Sequence, residues 1–146
     1  MGKCLYCNRE TDNSIMINGF DGFDKKEQIV FCCCSEHAEE INKYNSFANK
    51  NGKKFIAFMS LISISVCIMI PLAFMINNLI ISLVIGFLPI ILLGQLLIHY
   101  PFTTPTSTRK VGIKQSVTKA KKIGVLLQIV AVLLAIITYI LIRIFI

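Results

Sequence analysis

The sequence is short of charge. Of its 146 residues only 16% are Asp, Glu, Lys or Arg, against roughly 25% in soluble domains, while 55% are apolar. That shortfall excludes an ordinary cytosolic globule. It excludes disorder too, because a disordered chain needs low hydrophobicity and dense charge. The charge is also unevenly placed: no acidic residue follows Glu40, and no charge of either sign lies between Phe55 and Ile98. Proton relays and ion paths need ionisable groups at membrane depth, and the apolar stretches contain no carboxylate, lysine or histidine. A transporter acting alone is thereby disfavoured. The first long apolar run starts only at Phe55, so no secretory leader is expected.

What is present begins with long apolar segments. The uncharged run of 44 residues from Phe55 would make a helix of roughly 66 Å, twice a ~30 Å hydrocarbon core. It must fold back on itself. Asn77-Asn78 is its only consecutive polar pair, and Asn favours turns through bonds to nearby backbone. The expectation is one helix at about 55–76, a second at about 79–98 and a third over about 123–142, all transmembrane. A buried helical hairpin in a soluble protein is the alternative, but three helices apolar all round need more polar cover than this chain supplies. Lys50, Lys53 and Lys54 precede the first span, and Arg109, Lys110, Lys114, Lys119, Lys121 and Lys122 separate the second from the third. Basic loops stay cytoplasmic. The chain therefore reads as an integral protein of the cytoplasmic membrane, N-terminus inside and C-terminus outside, with the lone Arg143 snorkelling to the interface.

Five of the six cysteines lie in the first 34 residues. Cys4 and Cys7 form a C-x2-C pair, and Cys34 with His37 forms a C-x2-H pair. Two such pairs supply the four ligands of a tetrahedral zinc ion. The triple Cys32-Cys33-Cys34 leaves the register open: Cys34 gives x2 spacing to His37 and is the first choice, and Cys33, at x3, is the alternative. Cys32 is expected to be a buried strand residue. A disulfide framework fits poorly with a reducing cytosol. The runs Ser14–Asn18 and Gln28–Phe31 flank a turn-rich Gly19–Asp24 and read as a β-hairpin. Ser35 then suits an N-cap, with Glu36, Glu39 and Glu40 near the positive end of a helix running to about Lys50. The apolar stock of this segment is small: Ile15, Ile17, Phe20, Phe23, Ile29, Phe31 and Ile41. Four protein ligands leave no open position for a substrate, so the zinc reads as structural and the protein as no enzyme.

Between the second and third spans, Pro101 and Pro105 with several threonines prevent a continuous helix. From Arg109 to Lys122 the chain can be helical, with Ile113, Val117 and Ala120 on one face. A basic amphipathic segment beside a span reads as a membrane-surface helix attracted to anionic headgroups. Nucleic-acid binding is the weaker alternative, since the topology already explains the charge.

Four segments follow: a cytoplasmic zinc-binding module at 1–52, a transmembrane hairpin at 53–98, a basic cytoplasmic loop at 99–122 and a third transmembrane helix at 123–146. The fold class is a mainly α integral membrane protein, its three helices preceded by a small α+β zinc-finger-like module of knuckle, β-hairpin and helix. Through Cys4, Cys7, Cys34 and His37, and through the Tyr-Pro-Phe-Thr-Thr-Pro and basic segment after the second span, it resembles small uncharacterised prokaryotic membrane proteins with a zinc-ribbon or treble-clef-like N-terminal module. The resemblance implies a fold and a topology and brings no activity with it. The expected function is non-enzymatic recruitment of a cytosolic protein partner to the membrane. A zinc or thiol-redox sensor, an accessory subunit of a transport complex and a homo-oligomer are the alternatives.

The orientation has a direct test. A reporter active only outside the cytoplasm should be silent when fused at Asn49 and active when fused after Ile146; activity at Asn49 would reverse the topology.

Overall fold

The computed structural model describes residues 2–18 and 27–145. The expected turn at Gly19–Asp24, with Phe20 and Phe23, lies outside the described residues. Four short strands come first: β1 (Gly2–Lys3), β2 (Glu10–Thr11), β3 (Ser14–Asn18) and β4 (Glu27–Phe31). Four helices follow: α1 (Ser35–Met75), α2 (Leu79–His99), α3 (Pro105–Val111) and α4 (Ile113–Phe145). The strands make two antiparallel pairs, β1 with β2 and β3 with β4. The second pair is the expected hairpin, in a register that sets Ile15 opposite Val30 and Met16 opposite Ile29. Strand side chains alternate between faces, so Ile15, Ile17 and Val30 join the core while Met16 and Ile29 are exposed. The small hairpin of β1 and β2 carries the Cys4–Cys7 knuckle at its tip; it escapes sequence reading because two-residue strands have no periodicity to detect.

The chain divides into two compact units. The first comprises Met1–Phe55 together with Tyr100–Ala120. Most of the segment between the second and third apolar helices thus shares a unit with residues 1–55. Ile113 is 3% exposed and shares a core with Cys4, Leu5, Ile17, Cys32 and Ile41. Val117 packs against that core, and Ser116 and Ala120 are also buried. The face expected to lie on the membrane is thus buried within the module. Nor is Arg109–Lys122 one helix. It breaks at Gly112, whose φ of +84° lies in the region that favours glycine. Upstream, Thr104 caps α3, its Oγ1 accepting from the Ser107 N–H at 3.3 Å. Hydroxyls of Tyr44, Thr103 and Thr108 form a chain with 3.2 and 2.8 Å links. Phe102 stacks on Phe47 with ring centroids 5.4 Å apart and meets Phe55 at 4.9 Å. These contacts fasten residues 100–111 to the first half of α1.

Two more expectations about helices change. The helix from residue 35 and the first span are one helix of 41 residues, because Lys50, Lys53 and Lys54 are good helix formers and Gly52 alone does not break the ladder. The helix expected at 123 starts ten residues earlier, at Ile113. Its first turns are polar and cannot be told from the loop by hydropathy.

The second unit comprises Ile56–His99 and Lys121–Ile146. Ser35–Met75, Leu79–His99 and Ile113–Ile144 each contain a stretch long and apolar enough to cross a bilayer. The turn between α1 and α2 falls at Asn77-Asn78, where the Asn78 Oδ1 accepts from the N–H groups of Ile80 and Ile81 at 3.1 and 3.3 Å. Ser82 then donates to the Ala73 carbonyl at 2.6 Å across the turn. Ser63, Ser65 and Thr138 bond carbonyls of their own helices, a local bond that satisfies a Ser or Thr hydroxyl within a helix. Gly94 and Gly124 bring α2 and α4 together: a Cβ on either would stand 2.6 Å from the carbonyl oxygen of the other. Beside them the Gln128 amide donates to the Gln95 Oε1 at 2.7 Å, and Gln95 meets the His99 ring at 2.8 Å. In an apolar surround such an interhelical bond contributes about 0.6 kcal/mol on average.

The close approach is testable with a single methyl group. Gly124→Ala should lower the stability of the detergent-purified protein by about 1–3 kcal/mol, the usual effect of overpacking. Gly86→Ala, where the nearest atom would be the Ala73 Cβ at 3.8 Å, should leave its melting temperature unchanged or raise it slightly, because Ala favours the helix. Equal melting of the two variants would contradict the contact.

Candidate metal centre

The site is built from three short pieces of chain. The first is the knuckle Cys4-Leu5-Tyr6-Cys7. The Asn8 N–H closes it onto the Cys4 carbonyl at 2.8 Å, and the Cys4 N–H donates to the Arg9 carbonyl at 2.7 Å. Asn8 adopts a φ of +65° to make this turn, a conformation that Asn tolerates better than most residues. The second piece is the end of β4. Cys32 donates its N–H to the Asn13 carbonyl at 3.0 Å and buries its thiol. The chain bends at Cys33 before α1, and the Cys33 thiol faces the knuckle, 3.6 Å from the Cys7 Sγ. The third piece is the first turn of α1, which carries His37.

These elements gather Cys4, Cys7, Cys33 and His37, with ligand atoms all within 4.8 Å of one another, a group that could hold a metal ion. Cys34, the first choice from spacing, is not among them: its side chain is exposed, and its carbonyl accepts the Ala38 N–H at 3.1 Å. Cys34 thus takes the cap position expected of Ser35, which is instead the first helical residue. The x3 alternative through Cys33 is the arrangement adopted. Cys32 is a core residue, as expected.

Two of the three donor separations suit one shared ion, and the third is shorter. Around tetrahedral zinc, with Zn–S about 2.3 Å and Zn–N about 2.0 Å, donors stand about 3.5–3.8 Å apart. Here Cys7 Sγ and Cys33 Sγ are 3.6 Å apart, Cys4 Sγ and His37 Nδ1 3.9 Å, and Cys33 Sγ and Nδ1 2.9 Å. No disulfide forms; a bonded pair would stand near 2.05 Å, and all six cysteines are free. His37 presents Nδ1 to the sulfurs, and its ring lies against Tyr6 with centroids 4.6 Å apart. Tyr6 is a part of the site that spacing alone does not reveal.

Electrostatics divide the thiols. Burial works against ionising Cys4, but backbone N–H groups of Cys7, Cys33 and Tyr6 reach its sulfur and together bring it down to about 6. Cys33 moves the opposite way, to about 12, through desolvation and then its hydrogen bonds with the Cys7 and Cys4 thiols. Cys32 is also raised, first by burial and then by the neighbouring Cys4 and Cys34. Ionisation within the cluster is therefore favoured at Cys4 and opposed at Cys33.

The knuckle has a second face. While its amides point at sulfur, its carbonyls accept from the start of α4: Ile113 N–H to the Leu5 oxygen at 2.8 Å and Lys114 N–H to the Tyr6 oxygen at 3.2 Å. The first amides of a helix have no partner within it, and here the knuckle supplies two. Gly112 makes the approach possible, since a Cβ there would stand 2.5 Å from the Tyr6 oxygen. An isolated glycine in a basic run was the only trace of this junction in the sequence. Arg109, Lys110, Lys114, Lys119, Lys121 and Lys122 are all exposed, and none belongs to the cluster.

No family model matches the chain, and no curated protein or solved structure matches it. The ligand cluster is compatible with a small metal-binding module of the expected kind.

Register and proton count are both measurable. In the full-length protein Cys4→Ser, Cys7→Ser, Cys33→Ser and His37→Ala should each abolish tight zinc binding, while Cys34→Ser and Cys32→Ser leave it intact. Ligating thiols must lose their protons, and burial with the neighbouring thiols pushes Cys33 up. Uptake should therefore release protons, and affinity should rise with pH, by about tenfold per unit for each proton released. Binding lost in Cys34→Ser but kept in Cys33→Ser would restore the x2 register.

Proposed function

We propose that this chain is a small integral membrane protein whose cytoplasmic module binds one structural zinc ion and recruits a protein partner to the membrane, without catalysing a reaction. The observation that carries the reading is the convergence of Cys4, Cys7, Cys33 and His37 at the point where α1, a helix with an apolar span, begins. Three thiolates and an imidazole complete a closed tetrahedral shell, the mark of a structural site. A knuckle, a hairpin and a helix supplying a ligand from its first turn follow the order of a treble clef. Few buried apolar side chains support the module (Leu5, Ile17, Ile41 and Ile113 among them), and small domains of this kind depend on metal to fold. The N-terminus lies inside by the basic-loop rule. The six exposed basic residues between Arg109 and Lys122 face anionic headgroups as single charges, because the apolar face beside them is buried in the module.

A second reading, a zinc or thiol sensor, draws on the bonds from Ile113 and Lys114 to the knuckle. Metal occupancy holds the knuckle, and the knuckle holds the first turn of α4, so emptying the site frees the start of a membrane helix.

One experiment separates the two. Affinity capture from detergent-solubilised membranes is run with the wild type, Cys7→Ser and Gly112→Ala. The recruitment reading predicts a defined partner on the wild type, lost from Cys7→Ser and retained by Gly112→Ala if that variant still binds zinc. Loss of the partner from zinc-loaded Gly112→Ala favours the sensor, since only the junction is then disturbed. Identical captures from all three contradict both.

A further inference from the structure

A groove runs between α2 and α4 inside the second unit, and neither the metal centre nor the basic segment accounts for it. It has a volume of about 310 Å³, within the usual range of ligand clefts. Ile80, Leu83, Phe87 and Ile91 line it from α2, and Ala131 and Ala135 from α4. Ile80 and Tyr139 also line a second, wider cavity of about 700 Å³, bounded by Asn77, Asn78 and Arg143. The two adjoin at these side chains, so the apolar groove lies beside a more polar opening.

Length and charge identify the occupant. From Ile80 to Ile91 the helix rises about 16 Å, close to half of a ~30 Å hydrocarbon core. The groove is therefore as long as one leaflet's acyl chain, and its mouth lies where that leaflet's headgroups begin. Arg143 is the only charged side chain after Lys122, and no Asp or Glu follows Glu40, so no acidic side chain of the membrane helices opposes it. Its guanidinium lies 5.7 Å from the centre of the Tyr139 ring, which holds it at the mouth. The N-terminus of α2, capped by Asn78, adds a positive dipole end to the same opening. Guanidinium groups suit phosphate oxygens through paired N–H donors.

We infer that the groove between α2 and α4 is a binding site for an anionic phospholipid, its phosphate at Arg143 beside Asn77 and Asn78 and one acyl chain along Ile80 to Ile91. Ala131 and Ala135 lack the bulk that would close the channel, and their small side chains leave room for the chain. Arg143 thereby has a role beyond snorkelling or complementing the α4 dipole. The inference rests on the membrane reading and is independent of the metal centre.

The test uses the full-length protein in detergent micelles doped with phosphatidylglycerol or phosphatidylcholine bearing a photoactivatable diazirine in the acyl chain. Labelled peptides are mapped by mass spectrometry. Phosphatidylglycerol should label 80–91 and 131–139 in preference to α1, and more strongly than phosphatidylcholine does. Arg143→Gln should reduce that labelling about fivefold, the effect of one basic residue on anionic lipid, and Arg143→Lys should keep most of it. Ala135→Phe, which fills the groove, should abolish it. Equal labelling by both lipids, label spread evenly over all three helices, or label unchanged in both Arg143→Gln and Ala135→Phe would overturn the site. Dimers with these segments protected would overturn it too, by giving the groove to a second copy. A chain that stays soluble without detergent would instead overturn the membrane reading itself.

Discussion

The rest of the first unit depends on one four-residue turn. A peptide unit has an N–H and a C=O on opposite sides, and the knuckle Cys4-Leu5-Tyr6-Cys7 uses both. Amides of Tyr6 and Cys7 reach the Cys4 sulfur, while the carbonyls of Leu5 and Tyr6 accept from Ile113 and Lys114. The same backbone therefore organises the thiols and terminates a helix. The Leu5 side chain, between the two cysteines, lies in the core with Ile41 of α1 and Ile113 of α4. Disturbing the turn disturbs the ligand set, the core and the start of α4 together. This is the physical reason why residues 100–120, remote in sequence, belong to the same unit as residues 1–55.

The second unit follows different rules. For helices that cross a bilayer, as proposed for this unit, there is no hydrophobic drive to association, so close approach and interhelical hydrogen bonds must supply it. Gly94 and Gly124 provide the approach and Gln95 with Gln128 the bond. Neither glycine belongs to a GxxxG pair, and the contact is made between helices whose partners are thirty residues apart. Large exposed side chains such as Leu61, Phe74 and Leu126 suit contact with acyl chains, where apolar surface carries no penalty.

Much of this was legible in the sequence because it depends on local pattern. The fold-back at Asn77-Asn78 follows from an uncharged run too long for one span, and the strands at 14–18 and 27–31 follow from apolar runs bordering a turn. The four-ligand cluster follows from short-spaced cysteine and histidine pairs. What was not legible depends on contacts distant in sequence or on a register that spacing cannot fix. Three adjacent cysteines have three different environments: Cys32 in the core, Cys33 at the cluster and Cys34 at the helix cap. Only the exit of β4 into α1 decides among them. The helical periodicity of Ile113, Val117 and Ala120 correctly marks a buried face, yet amphipathicity does not say what covers it. Here a protein core covers it, because the knuckle presents two carbonyls that draw Ile113 inward. The continuity of α1 through Gly52 is similarly hidden, since a polar stretch before an apolar one reads as a boundary.

The central claim is that metal and helix are held by the same turn, and amide hydrogen exchange tests it most directly. The full-length protein in detergent is compared zinc-loaded and after exhaustive chelation, with exchange followed at Ile113 and Lys114. The account predicts slow exchange at both amides when zinc is bound and a large acceleration on chelation, with the α4 amides beyond Lys121 unchanged. Exchange at Ile113 and Lys114 that is equally slow with and without zinc would contradict it.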